Sequence, residues 1–209
     1  MDAKAPPVEK RRQILDAAIH VFARQGFHAC RVSDIADEAG VAYGLVYHYF
    51  KSKDEVLNEL FTERWSLLLA TIEEVDAQGI SAREKLDVVA RFIIDSYRHE
   101  PDLMKVIIVD VTRAANSFGR THLPEIRRAY DLIAKIVADG QRAGTFRRDV
   151  DPEFASMWFY GAIEQLLSGW VFDLIPGDEA DFDRAREMLV ETICGGLEAR
   201  NGAGPAQAP

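Results

Sequence analysis

The chain has 209 residues, of which 48% are hydrophobic and 28% are charged, and its formal net charge is −9. This length can bury the core of one or two domains without disulfides or a structural metal, and the composition excludes wholesale disorder. No apolar run approaches the roughly 20 residues of a membrane span, and no apolar segment follows the N-terminal charges as in a secretory signal. Cys30 and Cys194 lie far apart in the sequence, so they predict neither a disulfide framework nor a metal site. We expect a reduced, intracellular, soluble protein that makes no contact with a membrane.

The charge is unevenly distributed along the chain. Residues 1–53 contain eight Lys and Arg against six Asp and Glu, a net of +2, whereas the remaining residues contain 17 against 28, a net of −11. A mildly basic head on a strongly acidic body is the pattern expected when only the head approaches a polyanion. Because the excess of positive charge in residues 1–53 is small, chance explains it equally well. The sequence motifs must decide between the two explanations.

Apolar residues recur at helical spacing almost throughout the chain. The first helical stripe ends before a stop signal at Gly26, and its members are Ile14, Ala17, Ala18, Val21 and Phe22. Short helices are predicted at about 33–39 and 43–50, and a long one begins near Asp54, which is placed to cap it or to favour its first turn. Further helices are predicted at about 81–99, 101–117, 122–143, 152–174 and 179–199, with Pro and Gly residues near their boundaries. Without a run of period 2, the sequence predicts an all-α fold of nine helices, and the tail 201–209 is expected to be disordered.

Residues 32–51 fit a helix–turn–helix, in which two short helices pack across a tight turn. Ile35 and Ala39 would supply the inner face of the first helix, and Ala36 would lie at the crossing point, where a larger side chain would push the helices apart. Gly40 ends the first helix in a conformation that a Cβ penalises. The residues that close this small core from the other side are Val41, Val46 and Tyr49.

The second helix of this pair is the one that would enter the major groove of DNA. Tyr43 and Gly44 stand at its N-terminal end, where residues reach base edges, and the missing side chain of Gly44 lets the DNA come close. Tyr47 and His48 follow on the exposed side and can donate to phosphates; core packing of Tyr47 and a solvated His48 are the alternatives. The remaining candidate DNA contacts flank the helices and would grip the backbone: Arg31, Ser33, Ala42, Lys51 and Lys53, of which the two lysines would clamp a phosphate.

A wider set of motif residues extends over residues 8–60. It consists of Ile14-Leu-Asp-Ala-Ala, Phe22, Gly26-Phe27, Asp34-Ile-Ala, Ala39-Gly-Val, Gly44, Val46-Tyr-His-Tyr-Phe, Lys51-Ser-Lys and Leu57. With this set the segment resembles the DNA-binding domain of the tetracycline-repressor (TetR) family of bacterial regulators, and residues 140–152 show a weaker similarity. Many members carry Ser or Thr at the position of Ala42, which is a poor helix N-cap, and often Thr at that of Arg31.

The resemblance implies a DNA-binding domain at residues 1–53, a helical effector-binding and dimerisation domain at residues 54–200, and a place on the nucleoid in the bacterial cytoplasm. It also implies a homodimer on a palindromic double-stranded operator, because two copies must span successive major grooves about 34–36 Å apart. The last two predicted helices would form the dimer interface, although packing within one subunit is the alternative. The candidate interface residues are Trp158, Gly161, Gln165, Gly169, Met188, Leu189, Thr192, Ile193 and Gly196.

The resemblance further implies a small-molecule effector, and large apolar side chains fit a hydrophobic one better than a small polyanion. The candidates, each otherwise an ordinary core residue, are Trp65, Leu69, Phe92, Tyr97, Met104, Ile108, Phe159 and Leu167. Arg113 and Arg120 are placed to hold a carboxylate or phosphate, or else are solvated at the surface. Residues 43–50 are similar to fatty-acid-responsive members, so a long-chain acyl-CoA is the leading effector. A lipophilic drug, acting on a regulator of multidrug efflux, is the alternative, and no cofactor is predicted.

Two other classes of function receive little support from the sequence. It has no Gly-x-Ser-x-Gly elbow, no phosphate-binding glycine loop and no paired metal-binding histidines, so we predict no catalytic residues and no enzyme. A redox sensor built on Cys30 would need basic neighbours that favour the thiolate, and only Arg31 is adjacent. The resemblance to the TetR family instead implies a transcriptional repressor that its ligand releases from DNA.

Overall fold

The structure is a computed structural model that describes residues 7–112 and 122–197. Within these residues it contains nine α-helices and no strand, which confirms the all-α prediction. The helices are α1 (Pro7–Gln25), α2 (Val32–Glu38), α3 (Tyr43–Tyr49), α4 (Lys53–Asp76), α5 (Ala82–His99), α6 (Pro101–Val106), α7 (Leu123–Arg142), α8 (Pro152–Val171) and α9 (Glu179–Leu197). None of the described helices is both long enough and apolar enough to cross a membrane.

Two helix boundaries differ from the sequence prediction, and at a third the structure identifies the capping residue. The helix expected at 101–117 turns into a π-helix at Ile107–Thr112, and its last residues, with Arg113 and Arg120, lie outside the described residues, as does the tail 201–209. The start of α4 is capped by Ser52, whose Oγ accepts a hydrogen bond of 3.2 Å from the Glu55 amide, and Asp54 lies in the first turn, which is the second of the two roles predicted for it. The C-terminus of α8 comes earlier than residue 174, since Asp173 adopts a φ of 54°.

The described helices fall into two compact units. One unit comprises residues up to 67 together with residues 96–123, and the other comprises residues 68–95 together with residues from 124 onward. The first unit therefore holds the helix–turn–helix and α6 together, which the spacing of apolar residues along the chain gives no means of predicting. The functional division predicted at residues 53 and 54 concerns the roles of these segments and stays a prediction.

The core of the first unit is built on α1, whose predicted apolar stripe is buried. Ile14, Ala18 and Val21 have no exposed surface, and Phe22 is 1% exposed. This stripe packs α1 against both α2 and α6. At the end of α1, the ring of Phe22 contacts that of Phe27 edge to face, with 5.4 Å between their centroids. The burial of these side chains fixes the position of α2 on α1.

The turn between α2 and α3 has the geometry that the sequence predicts. Ile35 and Ala36 on α2 and Val46 on α3 are buried, whereas Val41 and Tyr49 are only half-buried, so these two close the small core less completely than expected. Gly40 adopts a φ of 61°, and the Val41 amide donates a hydrogen bond of 3.0 Å to the Ala36 carbonyl. This left-handed conformation is the one that a side chain penalises.

We expect the Gly40→Ala substitution to lower the free energy of unfolding by about 1–2 kcal/mol, because an L-residue at this φ is strained even though its methyl group meets no atom within 4 Å. Urea denaturation at a fixed protomer concentration measures the effect. Gly44→Ala is the matched control, since Gly44 also has nothing within 4 Å but lies in α3, where alanine is favoured. An equal loss of stability in both variants would contradict the assignment of strain to Gly40.

Candidate functional site

The helix α3 presents a polar and aromatic face to solvent. Its inner side is anchored by Val46, which is 1% exposed, whereas Tyr43 and Tyr47 are 53% and 44% exposed. Gly44 and His48 are exposed as well, and a Cβ built on Gly44 would meet nothing within 4 Å. The structure therefore brings four of the predicted DNA-contacting positions together on one accessible face, and it does not bury Tyr47 in the core.

Tyr43 and Tyr47 form a pair on successive turns of α3. Their rings meet edge to face with centroids 5.1 Å apart, and their hydroxyl groups are hydrogen-bonded at 3.2 Å. The hydrogen bond to Tyr43 raises the pKa of Tyr47 above its ordinary value. The phenol of Tyr47 is accordingly protonated at neutral pH, and its hydroxyl group is able to donate to a phosphate oxygen or a base edge.

Two basic side chains flank this face without internal partners. Arg31 precedes α2, where the Asp34 carboxylate accepts a hydrogen bond of 2.8 Å from the Arg31 amide, and Lys51 precedes α4. Both side chains are exposed, and within the described part of the chain neither makes an ion pair or a hydrogen bond. Ser33 is half-buried in the first turn of α2, and Ala42 gives α3 no side-chain cap, as its residue type predicts.

Three arginines of the first unit are paired with carboxylates within it. Arg24 pairs with Glu38 at 3.0 Å, and Arg11 pairs with Glu59 at 2.6 Å. Arg12 makes two ion pairs, with Asp16 at 2.8 Å and with Glu63 at 3.2 Å. These three arginines are therefore less available to a polyanion than Arg31 and Lys51 beside α3.

The structure gives Lys53 a different role from the phosphate clamp predicted for it. Its Nζ donates to the carbonyl oxygens of Phe27 at 2.7 Å, Cys30 at 3.0 Å and His28 at 3.2 Å. It also lies 4.6 Å from the centroid of the Phe27 ring. Since an ammonium group has three N–H donors, all of them are used inside the protein. We therefore remove Lys53 from the set of candidate phosphate contacts.

The helices α8 and α9 of the second unit expose several large apolar side chains. Trp158 and Met188 are 57% and 59% exposed, and Trp158 stacks on Phe154 with 6.2 Å between ring centroids. Gln165, Thr192 and Gly196 are also exposed, and Ile193 is half-buried. Sequence reasoning missed Phe154, although its spacing of four residues from Trp158 places both on one face of a helix.

A groove of about 570 Å³ runs between α8 and α9. It is lined mainly by apolar side chains, and the predicted interface residues among them are Gln165, Gly169, Met188, Leu189, Thr192 and Ile193. Leu189 is buried at its floor. Gly169 was expected to let a second helix approach closely. The Ile175 side chain of the same chain already occupies this space, since a Cβ built on Gly169 would come within 2.9 Å of it. Gly161, in contrast, faces open space.

The candidate effector-binding residues are distributed over both compact units. Of those that the structure describes, Trp65, Met104, Ile108, Phe159 and Leu167 are buried, and Leu69, Phe92 and Tyr97 are half-buried. Trp65 stacks on Phe61 with 5.1 Å between ring centroids. These positions suit either core packing or a cavity wall, so their contact with an effector stays a prediction.

A polar cluster in the second unit was not anticipated from the sequence. The rings of Tyr130 on α7 and Tyr160 on α8 meet edge to face with centroids 5.5 Å apart. Burial raises the pKa of both tyrosines, and the negative charge of Glu164 raises it further. The two hydroxyl groups therefore remain protonated and able to donate. The sequence could not predict this cluster, because tertiary packing decides which residues surround the two tyrosines.

The cysteines are both buried. The Cys30 thiol donates a hydrogen bond of 3.3 Å to the Phe27 carbonyl, and Cys30 itself is 3% exposed. This packing favours a structural role for Cys30 over the alternative of a redox sensor, which requires an accessible thiolate.

Models of two known protein families together match most of the chain. Residues 14–60 match the model of the bacterial regulatory proteins of the tetR family. Residues 61–189 match the model of the C-terminal region of YsiA-like proteins. The first match contains α2 and α3 and thus the exposed face described above, and the second contains α5 through α8.

Individual proteins show the same similarity. The fatty acid metabolism regulator protein of Bacillus subtilis is 32% identical over 165 residues, which cover 78% of this chain and 84% of the relative. The fatty acid degradation regulator FadR of Bacillus halodurans has a similar structure, with a TM-score of 0.81, 25% identity, and coverage of 95% of this chain and 100% of that one. The transcriptional regulator FadR of Bacillus subtilis, in complex with stearoyl-CoA, matches with a TM-score of 0.78, 26% identity, and coverage of 90% and 99%.

We expect Tyr43→Ala and Lys51→Gln to affect DNA binding in different ways. A base contact discriminates by about 1–3 kcal/mol, so Tyr43→Ala should reorder the affinities for duplexes that differ by single base pairs. A phosphate contact carries no sequence information, so Lys51→Gln should weaken binding to all these duplexes by a similar factor. Fluorescence anisotropy on a panel of duplexes derived from a selected operator measures both effects. Unchanged binding in both variants would contradict the assignment of α3 to the DNA groove.

Proposed function

We propose a function for this chain from the premise that it belongs to the TetR family of bacterial regulatory proteins, a DNA-binding family of transcription regulators. The proposed function is that of a repressor that binds a palindromic operator as a homodimer and is released by a hydrophobic effector. The observation that carries the proposal is the exposed face of α3, with its tyrosine pair lying between the unpartnered Arg31 and Lys51.

In this proposal α3 lies in the major groove. Tyr43 and Gly44 meet base edges at its N-terminal end, and Tyr47 and His48 reach phosphates or bases farther along. Arg31, Ser33 and Lys51 hold the DNA backbone on the two sides, and the Ala42 backbone lies against it. The residues after 53 carry a net charge of −11 and would contribute no affinity for DNA, so these few contacts would carry the binding.

A second copy of the chain is the proposed occupant of the surface on α8 and α9. Exposed aromatic and methionine side chains around an apolar groove are typical of a permanent interface rather than of a solvated surface. A two-fold arrangement would bring the same patch of both copies together and give two α3 helices a fixed separation. Dimerisation is therefore a requirement for reading two half-sites.

We expect Trp158→Glu to convert the protein to a monomer and to lower its affinity for the operator, because a carboxylate would be buried against an apolar surface. Sedimentation velocity measures the mass, and anisotropy measures operator binding. Leu123→Glu is the matched control, since Leu123 is 55% exposed but belongs to the first compact unit. A dimeric Trp158→Glu variant would place the interface elsewhere.

The leading effector in the proposal is a long-chain acyl-CoA. Support comes from the relatives, one named for fatty acid metabolism and another observed with stearoyl-CoA. The acyl chain would be enclosed by apolar residues such as Phe159 and Leu167, with Tyr130 and Tyr160 as neutral polar contacts. Binding would favour an arrangement in which the two α3 helices no longer match the groove spacing. A coupling of about 1–3 kcal/mol lowers operator affinity about 5–150-fold.

We expect stearoyl-CoA to raise the melting temperature of the protein and to dissociate it from its operator. A ligand that binds only the native state stabilises it by about 2.7 kcal/mol at a hundredfold excess over its Kd. A thermal-shift series from acetyl-CoA to stearoyl-CoA should show stabilisation that increases with chain length, with free CoA and stearate as controls. Stabilisation by lipophilic drugs but by no acyl-CoA would instead support a regulator of multidrug efflux.

A further inference from the structure

We infer that Lys53 is a positioning residue for DNA binding, which sets the distance between the two places where the helix–turn–helix holds the DNA backbone. The inference rests on the DNA-reading face proposed above and assigns a new role to a residue that does not belong to that face. It begins from the position of Lys53 as the first residue of α4, with its ammonium directed into the loop between α1 and α2.

The loop that Lys53 contacts has carbonyl groups that no helix satisfies. α1 ends at Gln25, Gly26 adopts a φ of 80°, and the chain then passes through residues 27–30 before α2 begins. Carbonyl groups after a helix C-terminus need partners from outside the helix. The Lys53 ammonium provides three hydrogen bonds to this one loop, over a sequence separation of 23 to 26 residues.

Each end of the connection that Lys53 makes lies next to a candidate contact with the DNA backbone. On the loop side, Cys30 is bonded through its carbonyl, and the next residue is Arg31. On the α4 side, Lys51 lies two residues before Lys53, and its amide donates a hydrogen bond of 2.6 Å to the Glu55 carboxylate. The backbone around Lys51 is thus fixed to the first turn of α4, and that turn is fixed to the loop. The connection through Lys53 therefore holds Arg31 and Lys51 in one spatial relation.

The geometry separates this role from that of a phosphate contact. A lysine whose three donors are all used by carbonyl groups cannot also bind a phosphate oxygen without breaking one of those bonds. Its own charge consequently adds no counterion release when DNA binds, whereas a lysine that contacts a phosphate adds a slope of about −0.9 to the dependence of log affinity on log salt.

The test compares Lys53→Met, Lys53→Arg and Lys51→Gln in the full-length protein on an operator selected from random duplexes. We expect both Lys53 variants to bind all duplexes at least about tenfold more weakly than the unmodified protein, and by similar factors from one duplex to the next. Arginine keeps the charge but cannot direct three N–H groups from one atom to three carbonyl groups, so it should not restore binding. Lys51→Gln should reduce the magnitude of the slope by about 0.9 for each phosphate that the lysine neutralises in the unmodified complex.

A matched variant controls for the loss of stability alone. Lys85 is 9% exposed and donates a hydrogen bond of 2.6 Å to the Asp76 carbonyl, in the second compact unit. Lys85→Met should therefore lower the melting temperature, as Lys53→Met does, but keep the unmodified affinity for DNA. Affinity is measured well below the melting temperature of each variant, so that only folded protein is compared.

The outcomes distinguish this inference from the proposed function. Full binding by Lys53→Arg, which keeps the charge but not the three hydrogen bonds, would overturn the positioning role in favour of a phosphate contact. Unchanged affinity with a lowered melting temperature in Lys53→Met would overturn it in favour of a purely structural role. Unchanged affinity and slope in Lys51→Gln would contradict the proposed DNA face itself, on which the inference rests.

Discussion

The burial of the apolar stripe on α1 is the constraint on which the DNA-reading part of the molecule depends. Ile14, Val21 and Phe22 have at most 1% of their surface exposed, and burying side chains of this size contributes about 1.5–3 kcal/mol each. The same helix packs against α2 and against α6. Since α2 carries α3 through the turn at Gly40, a displacement of α6 against α1 acts on the helix that holds the DNA-reading element in place.

Only some of the basic side chains in the first compact unit are available to DNA. Arg11, Arg12 and Arg24 are neutralised by carboxylates on α1, α2 and α4, and Lys53 is enclosed by carbonyl groups. These pairs are partly exposed, so each contributes little to stability, but each removes a cation from competition for DNA. A protein with a net charge of −9 can therefore still present positive charge beside α3, because Arg31 and Lys51 are exposed there without ion pairs to any described residue, next to the hydroxyl groups of Tyr43 and Tyr47.

The sequence predicts what local chemistry controls, and it fails where tertiary contacts decide. Gly40 was predictable because a left-handed turn favours one residue type, and the α1 stripe was predictable from its spacing. Lys53 was predicted wrongly because its acceptors lie 23 to 26 residues earlier, so no neighbouring residue signals them. The end of α8 was placed too late because Leu174 and Ile175 continue the apolar pattern, although the left-handed Asp173 has already ended the helix. Gly169 was predicted to contact a second subunit, because the sequence does not show that Ile175 of the same chain folds back over it.

Hydroxyl-radical footprinting of the complex with a selected operator tests the central claim, that two copies of α3 read successive turns of one DNA face. The account predicts two protected patches, related by two-fold symmetry, whose centres lie one helical turn of about 34–36 Å apart or a whole multiple of it. Stearoyl-CoA should remove both patches together, because release acts on the spacing of the dimer. A single unsymmetrical patch, or two patches at a spacing unrelated to the helical repeat, would contradict the account.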